Sequence, residues 1–91
     1  MTIHWISRPR LLEYALSCIQ PNDLCILSGD ALRFTLLNPE QTHFSADFKA
    51  PICLTEDCQN ASIQPPQHWP RWTDQELVRA ITSHQGGLIQ W

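Results

Sequence analysis

The stretch "PNDLCILSGDAL", residues 21–32, sets the apolar run Leu24–Leu27 between Asp23 and the polar group Ser28–Asp30. A run that is apolar at every position has no side to turn to water. It fits a strand covered on both faces, as in a parallel sheet lined by helices. The run also contains Cys25. A reactive thiol there points to an enzyme, and a thiol that only fills space points to a supporting subunit.

The flanking segments extend this reading. "TIHWIS" (2–7) alternates, with Ile3, Trp5 and Ser7 on one side and Thr2, His4 and Ile6 on the other, which predicts a strand ending before Pro9. Ser7 is expected to cap the next helix, with Pro9 near its first position. "RLLEYALSCI" places Leu11, Leu12, Ala15, Leu16 and Ile19 on one helical stripe, and Pro21 and Asn22 end it. Strand, helix, strand in this order predicts a right-handed βαβ unit. "GDALRFTLLN" (29–38) reads as a short helix, 38–49 as an irregular connection and "APICLTED" (50–57) as another buried strand whose Pro51 fits a strand start.

"EDCQNAS" is expected to make one helical turn and "IQPPQHWPRW" to run extended. Thr73 with Glu76 three residues on is a capping box, followed by a helix with Leu77, Val78, Ala80 and Ile81 on one side. Gly86 and Gly87 are expected to stop that helix. Leu88–Trp91 is expected to dock as an edge strand with the Trp91 ring partly buried. The predicted fold class is therefore α/β, a small Rossmann-like layered domain over 1–91. Its sheet is mainly parallel, of about four to five strands, and flanked by helices.

Size and charge limit what such a domain can do. A chain of 91 residues buries roughly 60–65% of its unfolded surface, which leaves a thin stability margin. Charged residues make up 16% of the chain against about 25% in ordinary domains. Either a partner chain covers part of the surface or neutral polar residues serve it. The net charge is −3 and the six Lys and Arg are scattered apart from Arg8 and Arg10, which argues against direct nucleic-acid binding. No apolar run reaches the roughly 18 residues of a membrane span. The N-terminal residues lack a signal-peptide core, so a cytoplasmic setting with free thiols is expected.

Chemical motifs are sparse. The βα turns "SRPR" and "SGDAL" carry no glycine-rich phosphate loop, so no nucleotide cofactor is expected. Cys18, Cys25, Cys53 and Cys58 lack paired zinc spacing, and His4, His43, His68 and His84 fall in different elements, so no metal is expected. A reactive thiol needs exposure and a cation or helix N-terminus beside it. Cys25 and Cys53 sit in apolar strands. Cys18 comes late in its helix, at the negative end of the dipole. Cys58 is the best placed, near the start of a helical turn, though Glu56 and Asp57 oppose a negative sulfur. Cys58 and Cys18 are thus the candidates for chemistry, each with a structural role as the alternative. Ser7, Ser17, Ser28, Ser45, Ser62 and Ser83 show no nucleophile elbow. Trp69 and Trp72 around Pro70-Arg71, together with Trp91, are the interface candidates, with ordinary core as the alternative.

Four segments together resemble the TusB/DsrH family of DsrE-like sulfur-relay proteins: "IHWISRPR", "NDLCILSGDAL" with Asp23 and Asp30 in register, "APICLTEDCQNASI", and the ending "WTDQELVRAITSHQGGLIQW". The resemblance runs nearly end to end. Where the family has Asp-Gly this chain has Asp30-Ala31, and Asn22 stands where a glycine is usual. Cys18 lies about one turn beyond the first-helix cysteine of some members. The resemblance implies a subunit, without cofactor, of a hexamer with two related partners, TusC- and TusD-like or DsrE- and DsrF-like. Such a complex passes persulfide sulfur toward 2-thiouridine at a tRNA wobble position, or toward sulfur oxidation, and in the tRNA pathway a sister subunit carries the sulfur. The expected role is non-catalytic. The alternative is a small sulfurtransferase or persulfide carrier using Cys58 or Cys18 directly.

Overall fold

A computed structural model describes residues 1–40, 44 and 47–91. Among the described residues five strands form one all-parallel sheet: β1 (Thr2–Ile6), β2 (Leu24–Leu27), β3 (Ile52–Leu54), β4 (Arg71–Trp72) and β5 (Gly87–Gln90). Four α-helices among the described residues flank it: α1 (Leu12–Cys18), α2 (Gly29–Leu37), α3 (Thr55–Asn60) and α4 (Asp74–Ser83). The α/β fold read from the sequence is the fold observed.

The strand order is β4-β3-β2-β1-β5. From β1 to β4 the chain steps sideways one strand at a time. Right-handed crossovers then put α1, α2 and α3 on the same face. To reach the far side of β1 the chain must return across the sheet, and the same handedness puts α4 alone on the other face. The side chains sort accordingly. Ile6, Cys25, Leu27 and Cys53 face Leu12, Ala15, Ile19, Leu32 and Cys58. Their strand neighbours Ile3, Ile26, Ile52 and Leu54 face Leu77 of α4. The run from Leu24 to Leu27 is covered on both sides, which is why it carries no polar residue.

Several local expectations hold. Thr73 caps α4, accepting from the Glu76 N–H while the Glu76 carboxylate takes the Thr73 N–H, both at 3.2 Å. Pro9 opens a 3₁₀ turn over Pro9–Leu11 ahead of α1. Leu88–Gln90 lies in edge strand β5, and Trp91 just beyond it is half-buried.

Others are corrected. Ser7 caps nothing; its N–H and hydroxyl donate to the Trp91 carbonyl at 3.2 and 3.4 Å. The strand expected over 50–57 spans only Ile52–Leu54, because Thr55 starts α3 and the acidic Glu56 and Asp57 suit a helix N-terminus. Val78 is 59% exposed: Leu77 and Ile81, one turn apart, take the inward stripe of α4. The helix also stops without glycine. It ends at Ser83 with His84 extended, and neither Gly86 nor Gly87 has positive φ. Gly86 answers a close approach instead, since a Cβ there would run into the Met1 carbonyl oxygen.

Candidate functional site

Three of the four thiols lie inside the layer between the sheet and α1–α3. Cys25 of β2, Cys53 of β3 and Cys58 of α3 are all buried and unbridged. Burial pushes the Cys25 thiol up to about 12. Cys53 is also pushed up to about 12, first by burial and then by the Cys58 thiol beside it, with the Arg71 charge opposing only in part. Both are protonated at neutral pH and poor nucleophiles. Cys58 departs from its expected setting: it is the fourth residue of α3, turned into the core and 3% exposed. Cys18, the last residue of α1, is the exposed thiol, with the Ser17 hydroxyl 4.0 Å from its sulfur.

This placement predicts a labelling pattern. Under native conditions a thiol reagent should modify Cys18 quickly. Cys25, Cys53 and Cys58 should react slower by a factor on the order of a thousand, the population ratio that about 4–5 kcal/mol of stability sets. Mass spectrometry of timed alkylation checks it. Rapid labelling of Cys58 would contradict the burial described.

The most developed polar cluster joins β1, the entry to β2 and the residue after β5. Asp23 is buried and accepts three hydrogen bonds: the Thr2 N–H at 2.8 Å, the Gln20 N–H at 3.0 Å and His4 Nε2 at 3.0 Å. The Trp91 indole N–H donates to His4 Nδ1 at 3.2 Å. An indole nitrogen can only donate, so Nδ1 is the acceptor and the ring proton sits on Nε2, facing Asp23. Trp91 also lies over His4, with ring centroids 6.2 Å apart, and meets the Tyr14 edge at 5.7 Å. Burial raises the Asp23 pKa, but the hydrogen bonds from Gln20, Thr2 and His4 outweigh it and hold the carboxyl below its ordinary value.

This cluster resembles a catalytic acid–base pair only in composition. Both ring nitrogens of His4 are engaged, so neither is free to take a substrate proton. Its chemistry is that of a clamp: it satisfies two backbone N–H groups and fixes the end of β5 against β1.

The strand order reverses between β1 and β5, the place where open α/β sheets usually hold a ligand beyond the carboxyl ends of the strands. Here the Ser7 and Arg8 N–H groups donate to the Trp91 carbonyl at 3.2 and 3.4 Å. The donors that would cradle an anion after β1 are thus used by the chain itself. After β2, the Gly29 N–H at the start of α2 donates to Asp57 at 3.0 Å. Gly29 has φ +54°, a conformation glycine takes without strain.

The interface candidates separate. Trp69 packs on the α1–α3 layer with its ring edge-on to Phe44 at 5.6 Å, beside an apolar cleft of about 340 Å³ that Leu36 and Ile63 also line. Trp72 packs on the α4 layer and Trp91 on the clamp, so the three do not form one patch. His68 is exposed beside Trp69, and His84 holds the Gly87 carbonyl at 3.1 Å; His43 and Ser45 lie outside the described residues. Among the described residues no group of three or more His, Cys, Asp or Glu is arranged to hold a metal ion. No helix of the described residues is long and apolar enough to cross a membrane.

No protein-family model, curated protein or solved structure matches the chain.

The clamp has no local signature in the sequence. The sequence places His4 in the first strand and Asp23 just before the second, but nothing local pairs them. The available signal was the pairing of the first two strands, which brings a residue just before the second run beside the start of the first.

Proposed function

We propose that this chain is a non-catalytic subunit of a heteromeric sulfur-relay complex, supplying fold and contact surface while related partner subunits carry persulfide sulfur, in a pathway leading to 2-thiouridine at the tRNA wobble position. The observation that carries this reading is the burial of Cys25, Cys53 and Cys58, two of them with thiols raised to about 12. In a relay step the terminal sulfur of a donor persulfide passes to an acceptor thiolate. The acceptor becomes the persulfide and the donor leaves as a thiolate. Neutral, buried thiols are unsuited to either part. The family resemblance adds support, because its residues fall on the structure's central features: His4 and Asp23 in the clamp, Leu24–Leu27 in the central strand, and Trp91 at the sheet edge.

The test is sulfur transfer through the assembled complex, with a cysteine desulfurase and cysteine as the source. Cys18→Ser and Cys58→Ser should each pass sulfur at nearly the parent rate, and mass spectrometry should find no persulfide held on this chain. A loss on the order of a hundredfold with either variant, assembly being unchanged, would favour the direct sulfurtransferase reading.

A further inference from the structure

The outer side of β5 is an unpaired edge of the sheet. All four of its residues are exposed, and Leu88 and Ile89 are each 41% exposed. Native sheet edges are usually blunted by charge, proline or a bulge. Residues 84–91, "HQGGLIQW", contain no Asp, Glu, Lys, Arg or Pro.

The hydrogen-bond pattern defines which groups are free. Trp91 donates its N–H to the Trp5 carbonyl at 2.8 Å, and its carbonyl accepts from Ser7. Alternate residues of a parallel strand bond to the same side, so Ile89 and Gly87 also turn their backbone groups toward β1. Leu88 and Gln90 therefore direct their N–H and C=O groups outward. The side chains alternate as well: Ile89 and Trp91 share the His4 face, while Leu88 and Gln90 share the face of Ile3 and Trp5.

We propose that β5 pairs antiparallel with β5 of a second copy of this chain, about a two-fold axis at Ile89, joining the two sheets into one. In that register Leu88 of each copy lies opposite Gln90 of the other, and each such pair exchanges both its N–H and its C=O bonds. All the outward donors and acceptors are then used. Ile89 meets Ile89 of the second copy as the close, non-hydrogen-bonded pair, extending the apolar surface of Trp91 and the 66%-exposed Tyr14 on that face. The occupant is a second copy because the edge is complementary to itself: the same two residues supply every donor and acceptor, and no charges meet at the axis. Both copies keep their side-chain faces, since paired residues differ by an even number.

The inference is independent of the sulfur-relay reading, because the chain is measured alone. Four residues a side make a small contact, so dissociation in the high-micromolar range is expected. Sedimentation velocity from about 1 μM to about 1 mM should show monomer passing to dimer. Gln90→Pro removes an outward N–H without touching the bonds to β1, and Ile89→Lys places like charges at the axis. Each should weaken association at least tenfold, while Gln90→Ala should associate like the parent. Amide exchange supplies a readout without substitution: Leu88 and Gln90 should gain protection as concentration rises. A parent that stays monomeric throughout, or a dimer unaffected by both disruptive variants, overturns the proposal.

Discussion

Asp23→Ala is expected to lower the melting temperature by roughly 15 °C or more. The substitution leaves the Thr2 and Gln20 N–H groups without their acceptor and strips buried His4 of its partner. Each buried hydrogen-bonding group left without its partner typically costs about 1–3 kcal/mol, so losing the acceptor of all three donors costs several kcal/mol. Domains of this size shift by about 4–8 °C per kcal/mol. Stability near the low end of about 5–15 kcal/mol leaves little after such a loss. The pH dependence follows from the lowered Asp23 pKa. A carboxyl whose folded value lies below its unfolded value of about 3.9 stabilises fully above that value, and the contribution is lost as pH falls through the folded one. The gap between parent and variant should therefore be widest near neutral pH and narrow below about pH 4. Thermal melts across pH check both statements. A variant melting within a few degrees of the parent at pH 7 would show that the clamp adds little.

Removing Leu88–Trp91 is expected to be nearly as severe. The β5 side chains are exposed, so little of the cost comes from their burial. It comes from what they hold. Without Trp91 the Ser7 and Arg8 N–H groups and His4 Nδ1 lose their partners, and β1 becomes a sheet edge. Truncating a core aromatic residue costs about 3–5 kcal/mol. Trp91 is only half-buried, so the ring supplies less and the broken bonds supply the rest, for a total of about 3 kcal/mol. Gln90→Ala should change the melting temperature little, since its side chain points away from the clamp. A truncated chain that melts within a degree or two of the parent would mean that the terminal residues are a passive tail.

Both effects rest on contacts that no short stretch of sequence carries. Local signals were legible: the apolar run of β2, the Thr73–Glu76 capping box, and the alternation of elements that makes a parallel α/β sheet. Each depends on neighbours within a few residues. The clamp depends on residues 19 and 87 positions apart, so its geometry exists only once the sheet has formed. Ser7 illustrates the competition. Locally it is a good helix cap, yet the tertiary partner Trp91 takes its hydroxyl. Val78 shows the limit of apolar pattern, since it falls at the rim of the stripe formed by Leu77 and Ile81, where only the tertiary packing decides that it stays 59% exposed. Cys58 is the best-placed thiol by sequence, near the start of a helical turn among polar neighbours, yet the turn of α3 directs it into the core.

We propose that this chain serves assembly rather than chemistry. The most direct test is native mass spectrometry of the chain mixed with two related candidate subunits of the sulfur-relay class at micromolar concentrations. The account predicts a complex containing all three chains, formed equally well by a parent and a Cys18→Ser variant. A chain that remains unbound in the presence of both partners, while they assemble with one another, would contradict it.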